Sequence, residues 1–123
     1  MRPEVRSCLI SEVCLTPEQA DVYLLVNVEG RMDAAGMAAR LDITPEDARR
    51  LADSLVDLGG FIEYGQTLYE AMHPRFTAVN MYRRACERRG VPFGRNKDVD
   101  NIGVELERPY EDARTNMASR GSR

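Results

Sequence analysis

Two segments of similar design determine where helices begin in this chain. Thr16-Pro17-Glu18-Gln19 and Thr44-Pro45-Glu46-Asp47 each place a threonine hydroxyl at an N-cap position and a proline at the first helical position. Gln19 adds the reciprocal partner of a capping box to the first segment. We therefore predict helices that begin at Pro17 and at Pro45, and the rest of the chain has to fold around these two.

Apolar residues follow both starts at helical spacing. The first helix should end at Gly30, and its predicted buried face consists of Ala20, Tyr23, Leu24, Asn27 and Val28. The second should end at Gly59, and its predicted buried face consists of Ala48, Leu51, Ala52, Leu55 and Leu58. Asp33 can cap a short helix over residues 34–41 between them, and residues 5–14 predict one more helix ahead of them.

A β-hairpin and two further helices are predicted in the second half. Aromatic and branched residues flank Gly65-Gln66, which suits a two-residue type II′ turn. A helix should follow over residues 75–89. Residues 98–107 fit either helical or strand spacing, and we favour a helix because a strand there would have no evident partner. We expect Pro109 to end this helix.

Several classes of function find no support in the composition. No apolar run approaches the ~18 residues of a membrane span and the N-terminus has no secretory pattern, so we expect a cytoplasmic protein without membrane contact. Three cysteines without C-x-x-C spacing and a single histidine argue against a disulfide framework and a zinc site. The sequence also has no glycine-rich phosphate loop, no calcium loop and no motif that pairs a nucleophile with a base. We therefore predict no enzyme activity, no metal and no cofactor.

Charge is distributed unevenly along the chain. Residues 1–72 contain 6 arginines and 13 acidic residues, a net charge of −7, whereas residues 73–123 contain 11 basic and 7 acidic residues, a net charge of +4. Positive charge is densest over residues 75–97, where Glu87 is the only acidic residue. A polyanionic partner would therefore be attracted first by the second half.

The order of these elements is that of a winged helix-turn-helix domain. Residues 15–25 (LTPEQADVYLL) resemble the opening helix of the archaeal TrmB-like transcriptional regulators, although Glu18-Gln19-Ala20 departs from that family's order by one position. Residues 37–43, 48–55 and 58–62 resemble its first motif helix, its recognition helix and the entry to its wing. The resemblance covers residues 9–72 and implies a mainly α fold with a small β-hairpin wing that binds DNA and regulates transcription. The large sugar-binding domain of full-length regulators is not expected here, so effector binding of that type is not implied.

The resemblance points to DNA contacts on the outer face of the helix that begins at Pro45. Arg49 and Arg50 could reach guanine, and Thr44 could contact a phosphate at the helix N-terminus. The centre of this face has a net charge of −2, so the alternative is a solvated face used for protein contact. The predicted DNA-binding residues are Thr44, Arg49, Arg50, Ser54, the neutral wing-tip donors Gln66 and Thr67, and the basic residues Arg84, Arg88, Arg95 and Lys97.

The helix over residues 75–89 is apolar over a wide face. Its apolar residues span an arc of about 220°, whereas a helix that lies on one surface needs only about 100°. We predict that it contacts both its own domain and a second chain, the latter through Phe76, Val79, Tyr82 and Cys86. The alternative is a monomer in which residues 98–107 fold back over the same helix. A two-fold dimer would present two recognition helices to a two-fold DNA site.

The sequence thus predicts a winged helix-turn-helix domain over residues 1–72, a C-terminal helical dimerisation extension over residues 73–110 and a flexible tail over residues 111–123. The predicted function is that of a homodimeric TrmB-like regulator that binds duplex DNA. The competing hypothesis is a winged-helix interaction module whose acidic residues bind a basic protein without any contact to DNA. The position of residues 75–97 relative to the recognition helix distinguishes the two.

Overall fold

The computed structural model describes the backbone of residues 2–121 and the side chains of residues 2–116. The chain is mainly helical, with one small antiparallel sheet. Its elements, in order, are α1 (Pro3–Ser11), α2 (Pro17–Glu29), β1 (Met32–Asp33), α3 (Ala34–Leu41), α4 (Pro45–Leu58), β2 (Phe61–Tyr64), β3 (Leu68–Ala71), α5 (Pro74–Arg89) and α6 (Lys97–Gly121). Within residues 2–121, no helix combines the length and the apolar character that a membrane crossing requires.

The predicted helix starts are confirmed by their caps. Thr16 Oγ1 accepts a hydrogen bond from the Gln19 N–H at 3.1 Å, and the Gln19 side chain accepts one from the Thr16 N–H at 2.9 Å. At the start of α4, Thr44 Oγ1 accepts a hydrogen bond from the Asp47 N–H at 3.1 Å. Gly59 ends α4 with a φ of 90°, a conformation that a residue without Cβ adopts without strain.

α2 forms the centre of the core. Val22, Leu25 and Val26 are buried in addition to most of the predicted face, so α2 is apolar and enclosed on nearly all sides. α1, α3, α4, β3 and α6 all pack against it. The buried hydroxyl of Tyr23 lies 2.6 Å from Thr77 Oγ1 and links α2 to α5 by a hydrogen bond. The core therefore holds the N-terminal elements and the C-terminal helices in one unit.

The sheet contains a strand that the sequence analysis does not predict. β1 has only two residues and pairs with β3, which gives the strand order β1–β3–β2. Two residues are too few to produce an alternating pattern, so this strand is defined only by its neighbour. The pairing of Tyr64 with Leu68 leaves Gly65, Gln66 and Thr67 in the hairpin loop, so the turn has three residues and not the predicted two.

α6 confirms the favoured helix but extends beyond its predicted end. The helix continues through Pro109, although proline removes one N–H from the hydrogen-bond ladder. Leu106 and Tyr110 on either side of the proline are buried, and this packing holds the helix together. Residues 111–121 of the expected tail are therefore helical, and residues 122–123 lie outside the described part of the chain.

α6 packs closely along α5. A Cβ placed on Gly103 would lie 2.8 Å from the Arg75 Cα, so only glycine allows this approach of the two helices. The Arg75 guanidinium donates to both carboxylate oxygens of Glu107, at 2.9 and 3.2 Å. These hydrogen bonds hold the pKa of Glu107 below its usual value. α6 therefore covers one side of α5. This is the packing that the monomeric alternative predicts, in which residues 98–107 fold back over the helix.

Candidate nucleic-acid interface

The outer face of α4 is the candidate contact surface. Ala48, Leu51, Ala52 and Leu55 are buried against the core, which confirms the predicted helical phase. The opposite face exposes Glu46, Asp47, Arg49, Arg50 and Asp53. This face therefore carries both acidic and basic groups.

The two arginines of this face have different surroundings. The Arg50 guanidinium lies 3.6 Å from the Asp47 carboxylate, one turn away on the same helix. Arg49 forms no ion pair with any residue whose side chain the structure describes. Thr44 is exposed at the N-terminus of α4, and because its oxygen accepts the Asp47 N–H, its own hydroxyl proton stays available to an acceptor such as a phosphate.

Asp53 is bound by a residue of the sheet. The hydroxyl of Tyr69, on β3, donates a short hydrogen bond to Asp53 Oδ1. Burial raises the pKa of Tyr69 to about 12, and the bond to Asp53 acts in the same direction. The sequence analysis missed this contact, because nothing local in the sequence relates a strand residue to a helix residue 16 positions away.

Ser54 points away from the candidate surface. Its Oγ accepts a hydrogen bond from Gln19 Nε2 at 2.9 Å and donates one to the Leu51 carbonyl at 2.6 Å. The side chain is half-buried between α2 and α4. The Ser54 hydroxyl, predicted as a DNA contact, is therefore engaged within the fold.

The hairpin loop and its surroundings form the second part of the candidate surface. Gln66 and Thr67 are exposed at its tip, as predicted. The Arg31 guanidinium lies 3.9 Å from the centre of the Tyr64 ring, close enough for a cation–π contact. The sequence analysis assigns only neutral donors to the hairpin, whereas the fold brings this cation to it from the segment before β1.

The basic segment over residues 75–97 is largely engaged in internal contacts. Arg84 Nη1 donates to the Asp57 carbonyl at 2.6 Å and so caps the C-terminal end of α4. Arg95 forms an ion pair with Asp100 at 3.2 Å. Arg88 and Lys97 are exposed and form neither an ion pair nor a side-chain hydrogen bond with the residues whose side chains are described. Arg84, predicted as a phosphate contact, thus has a capping role at the end of α4 in addition to its exposed charge.

The basic segment borders α4 at its C-terminal end. Arg84 binds there, whereas Arg49 lies eight residues earlier than Asp57, about 12 Å away along the helix axis. Further along the chain, Asn96 donates to Glu12 Oε1 at 2.8 Å and holds the start of α6 next to the end of α1. Most of this segment therefore lies apart from the two outward arginines of α4.

The four predicted dimer residues have different positions. Phe76 is 67% exposed, and Val79 and Tyr82 are half-buried. The Tyr82 ring packs against Phe93, with 5.9 Å between the ring centres. Cys86 is 1% exposed, so its side chain is covered by this chain and is not available to a second one. α6 and Phe93 account for part of the wide apolar arc of α5, and Phe76 remains uncovered.

His73 lies near two carboxylates of α6 in a geometry that suits a structural role. Its Nε2 is 3.8 Å from Glu107 Oε1 and 3.9 Å from Glu111 Oε1. Its Nδ1 accepts a hydrogen bond from the Arg75 N–H at 3.2 Å and caps α5. The cluster therefore ties α5 to α6.

Comparison with known proteins assigns no family to this chain. No protein-family model, no curated protein and no solved structure matches it. The geometry of α4, of the sheet and of the charges around them is therefore what indicates a function.

Proposed function

We propose that this chain is a winged-helix, TrmB-like transcriptional regulator of the cytoplasm that binds duplex DNA through α4 and the β2–β3 hairpin. The observation that carries the proposal is the topology. α3 and α4 are joined by a short turn, β1 pairs with β3 and the sheet order is β1–β3–β2. This arrangement supports the outer face of α4 beside a projecting hairpin, as the recognition helix and wing of such a domain require.

The proposed contacts are of two kinds: contacts to the DNA backbone position the protein, and contacts to base edges discriminate between sequences. The N-terminus of α4 with Thr44 binds a phosphate, and the wing tip with Gln66 and Thr67 adds neutral contacts to the backbone. Arg49 and Arg50 lie in the first two turns of α4 and read guanine in the major groove. Arg88 and Lys97 supply further phosphate contacts.

The protein acts as a homodimer in this proposal, with Phe76, Val79 and Tyr82 facing the second copy. Phe76→Glu would place a charge in a desolvated interface and should leave a monomer of 13.9 kDa in light scattering at micromolar concentration. Ile62→Glu is the matched control, since Ile62 is also an exposed apolar residue but lies on the sheet. Wild-type protein that already runs at 13.9 kDa would end the dimer proposal.

A second candidate function is the interaction module that binds a basic protein and not DNA. The observation that favours it is the charge of the exposed face of α4, where Glu46, Asp47, Asp53 and Asp57 outnumber Arg49 and Arg50. The position of the basic segment at the C-terminal end of α4 points in the same direction. Phosphates would meet net negative charge along most of this helix.

A salt-dependent titration on preferred and scrambled duplexes separates the two candidates. Arg49→Ala should cost about 1–3 kcal/mol on the preferred duplex and little on the scrambled one. Replacing Arg88 and Lys97 together should weaken binding to both and lower the salt slope by about two units. Arg108→Ala, an exposed change on α6, is the control. Wild-type protein that binds neither duplex at low salt would favour the interaction module.

A further inference from the structure

Arg49 and Asp53 stand four residues apart on the exposed face of α4 without forming an ion pair. Opposite charges at this spacing are neighbours on a helix surface and ordinarily attract. The neighbouring pair on the same helix behaves in that way, because Arg50 lies 3.6 Å from Asp47. The Asp53 carboxylate instead accepts its hydrogen bond from Tyr69, and Arg49 has no ion pair among the described side chains.

We propose that Tyr69 is a positioning residue that holds Asp53 against the sheet and thereby keeps Arg49 free to contact DNA. This inference rests on the proposed function. Tyr69 itself is 4% exposed, so it contacts no ligand and acts only through Asp53. The arrangement leaves Arg49 without an ion pair among the described side chains, and it predicts that Arg49 contributes more to binding than Arg50 does.

Several physical effects favour the bond from Tyr69 to Asp53 over an ion pair between Arg49 and Asp53. A hydrogen bond from a hydroxyl to a carboxylate is roughly twice as strong as one between neutral groups, and leaving the hydroxyl of the nearly buried Tyr69 without an acceptor would cost free energy. The exposed ion pair is weak by comparison, because water and salt screen it. Arginine on the N-terminal side of the acidic residue is also the less favourable orientation on a helix.

The test is a set of binding measurements on one preferred duplex. Tyr69→Phe removes only the hydroxyl and should weaken binding about twofold, the change that an exposed ion pair at this spacing typically carries. Asp53→Asn should restore the affinity of the Tyr69→Phe variant, because no carboxylate then remains to pair with Arg49. In an Arg49→Ala background, Tyr69→Phe should have no effect.

Two outcomes of the binding measurements would overturn the inference. One is a Tyr69→Phe variant that binds as wild type does. The other is a loss of affinity that persists when Asp53 is also replaced, which would show that the hydroxyl acts only through the general structure.

A readout without DNA keeps this inference separate from the proposed function. The side-chain carboxyl ¹³C shift of Asp53 and the Nε–Hε resonance of Arg49 should both change on Tyr69→Phe, as the carboxylate moves from the sheet to the arginine. If wild-type protein binds no duplex but these resonances move, the proposed function fails and the restraint on Asp53 stands. If wild-type protein binds DNA and the resonances do not move, the inference fails alone.

Discussion

Gly103→Ala tests the contact between α5 and α6, because two effects of opposite sign meet at this position. Alanine in a helix interior is favoured over glycine by about 0.8–1.0 kcal/mol. The added Cβ, however, would lie 2.8 Å from the Arg75 Cα and 3.2 Å from its backbone nitrogen. Backbone atoms cannot rotate away, so α5 and α6 would have to separate, and overpacking of this kind costs about 1–3 kcal/mol. We expect the clash to prevail, with a net loss of about 1 kcal/mol.

Thermal and urea unfolding of the full chain measure the result. A loss of this size should lower Tm by roughly 3–6 °C in a chain of this length. Gly36→Ala is the control, since its Cβ would meet side-chain atoms of Asp33, at 3.3 Å, and of Met32, at 3.6 Å, with no backbone atom of another element among its nearest contacts, and the propensity gain should survive. The double variant Arg75→Ala, Gly103→Ala should stay destabilised, because the Cα and nitrogen remain. A Gly103→Ala protein as stable as wild type would refute the argument.

Two further predictions concern the core and its response to pH. Replacing Leu55, which is fully buried on α4, by alanine should lower the free energy of unfolding by about 2–5 kcal/mol. Arg50→Ala should change it by less than about 0.5 kcal/mol, so equal losses in urea unfolding would mean that the helical phase is wrong. Burial raises the pKa of Tyr23 and the pKa of Tyr69 to about 12. The stability that these neutral phenols contribute is therefore complete below pH 10, and it is lost as pH rises toward 12. Unfolding measured from pH 9 to 12 should show this decline, and Tyr23→Phe should flatten it; an unchanged slope would contradict the assignment.

The helix boundaries could be predicted because their causes are local. Thr16 and Thr44 bond to backbone groups three residues away, so the residues that determine each cap are adjacent in the sequence. The same holds for the outward position of Arg49 and Arg50, which follows from helical spacing alone. These parts of the fold and of the candidate site need no tertiary information.

Three predicted contact residues have surroundings that depend on partners distant in the sequence. Ser54 is engaged by Gln19, 35 positions away, and Arg84 by the Asp57 carbonyl, 27 positions away. Cys86 is enclosed by elements that only the folded chain brings together. The polarity or the helical spacing of each of these side chains predicted an exposed contact. In the folded chain, residues distant in the sequence bind or cover each of them.

The sequence by itself determined the capped helices, the hairpin and the face of α4 that points outward, because each depends on interactions between residues a few positions apart. The tertiary structure alone decided that β1 is a strand, since a segment of two residues forms a strand only when it pairs with β3. It also decided that α6 continues past Pro109, since the burial of Leu106 and Tyr110 outweighs the missing hydrogen bond. Packing supplies both effects, and packing depends on residues that are distant in sequence and close in space.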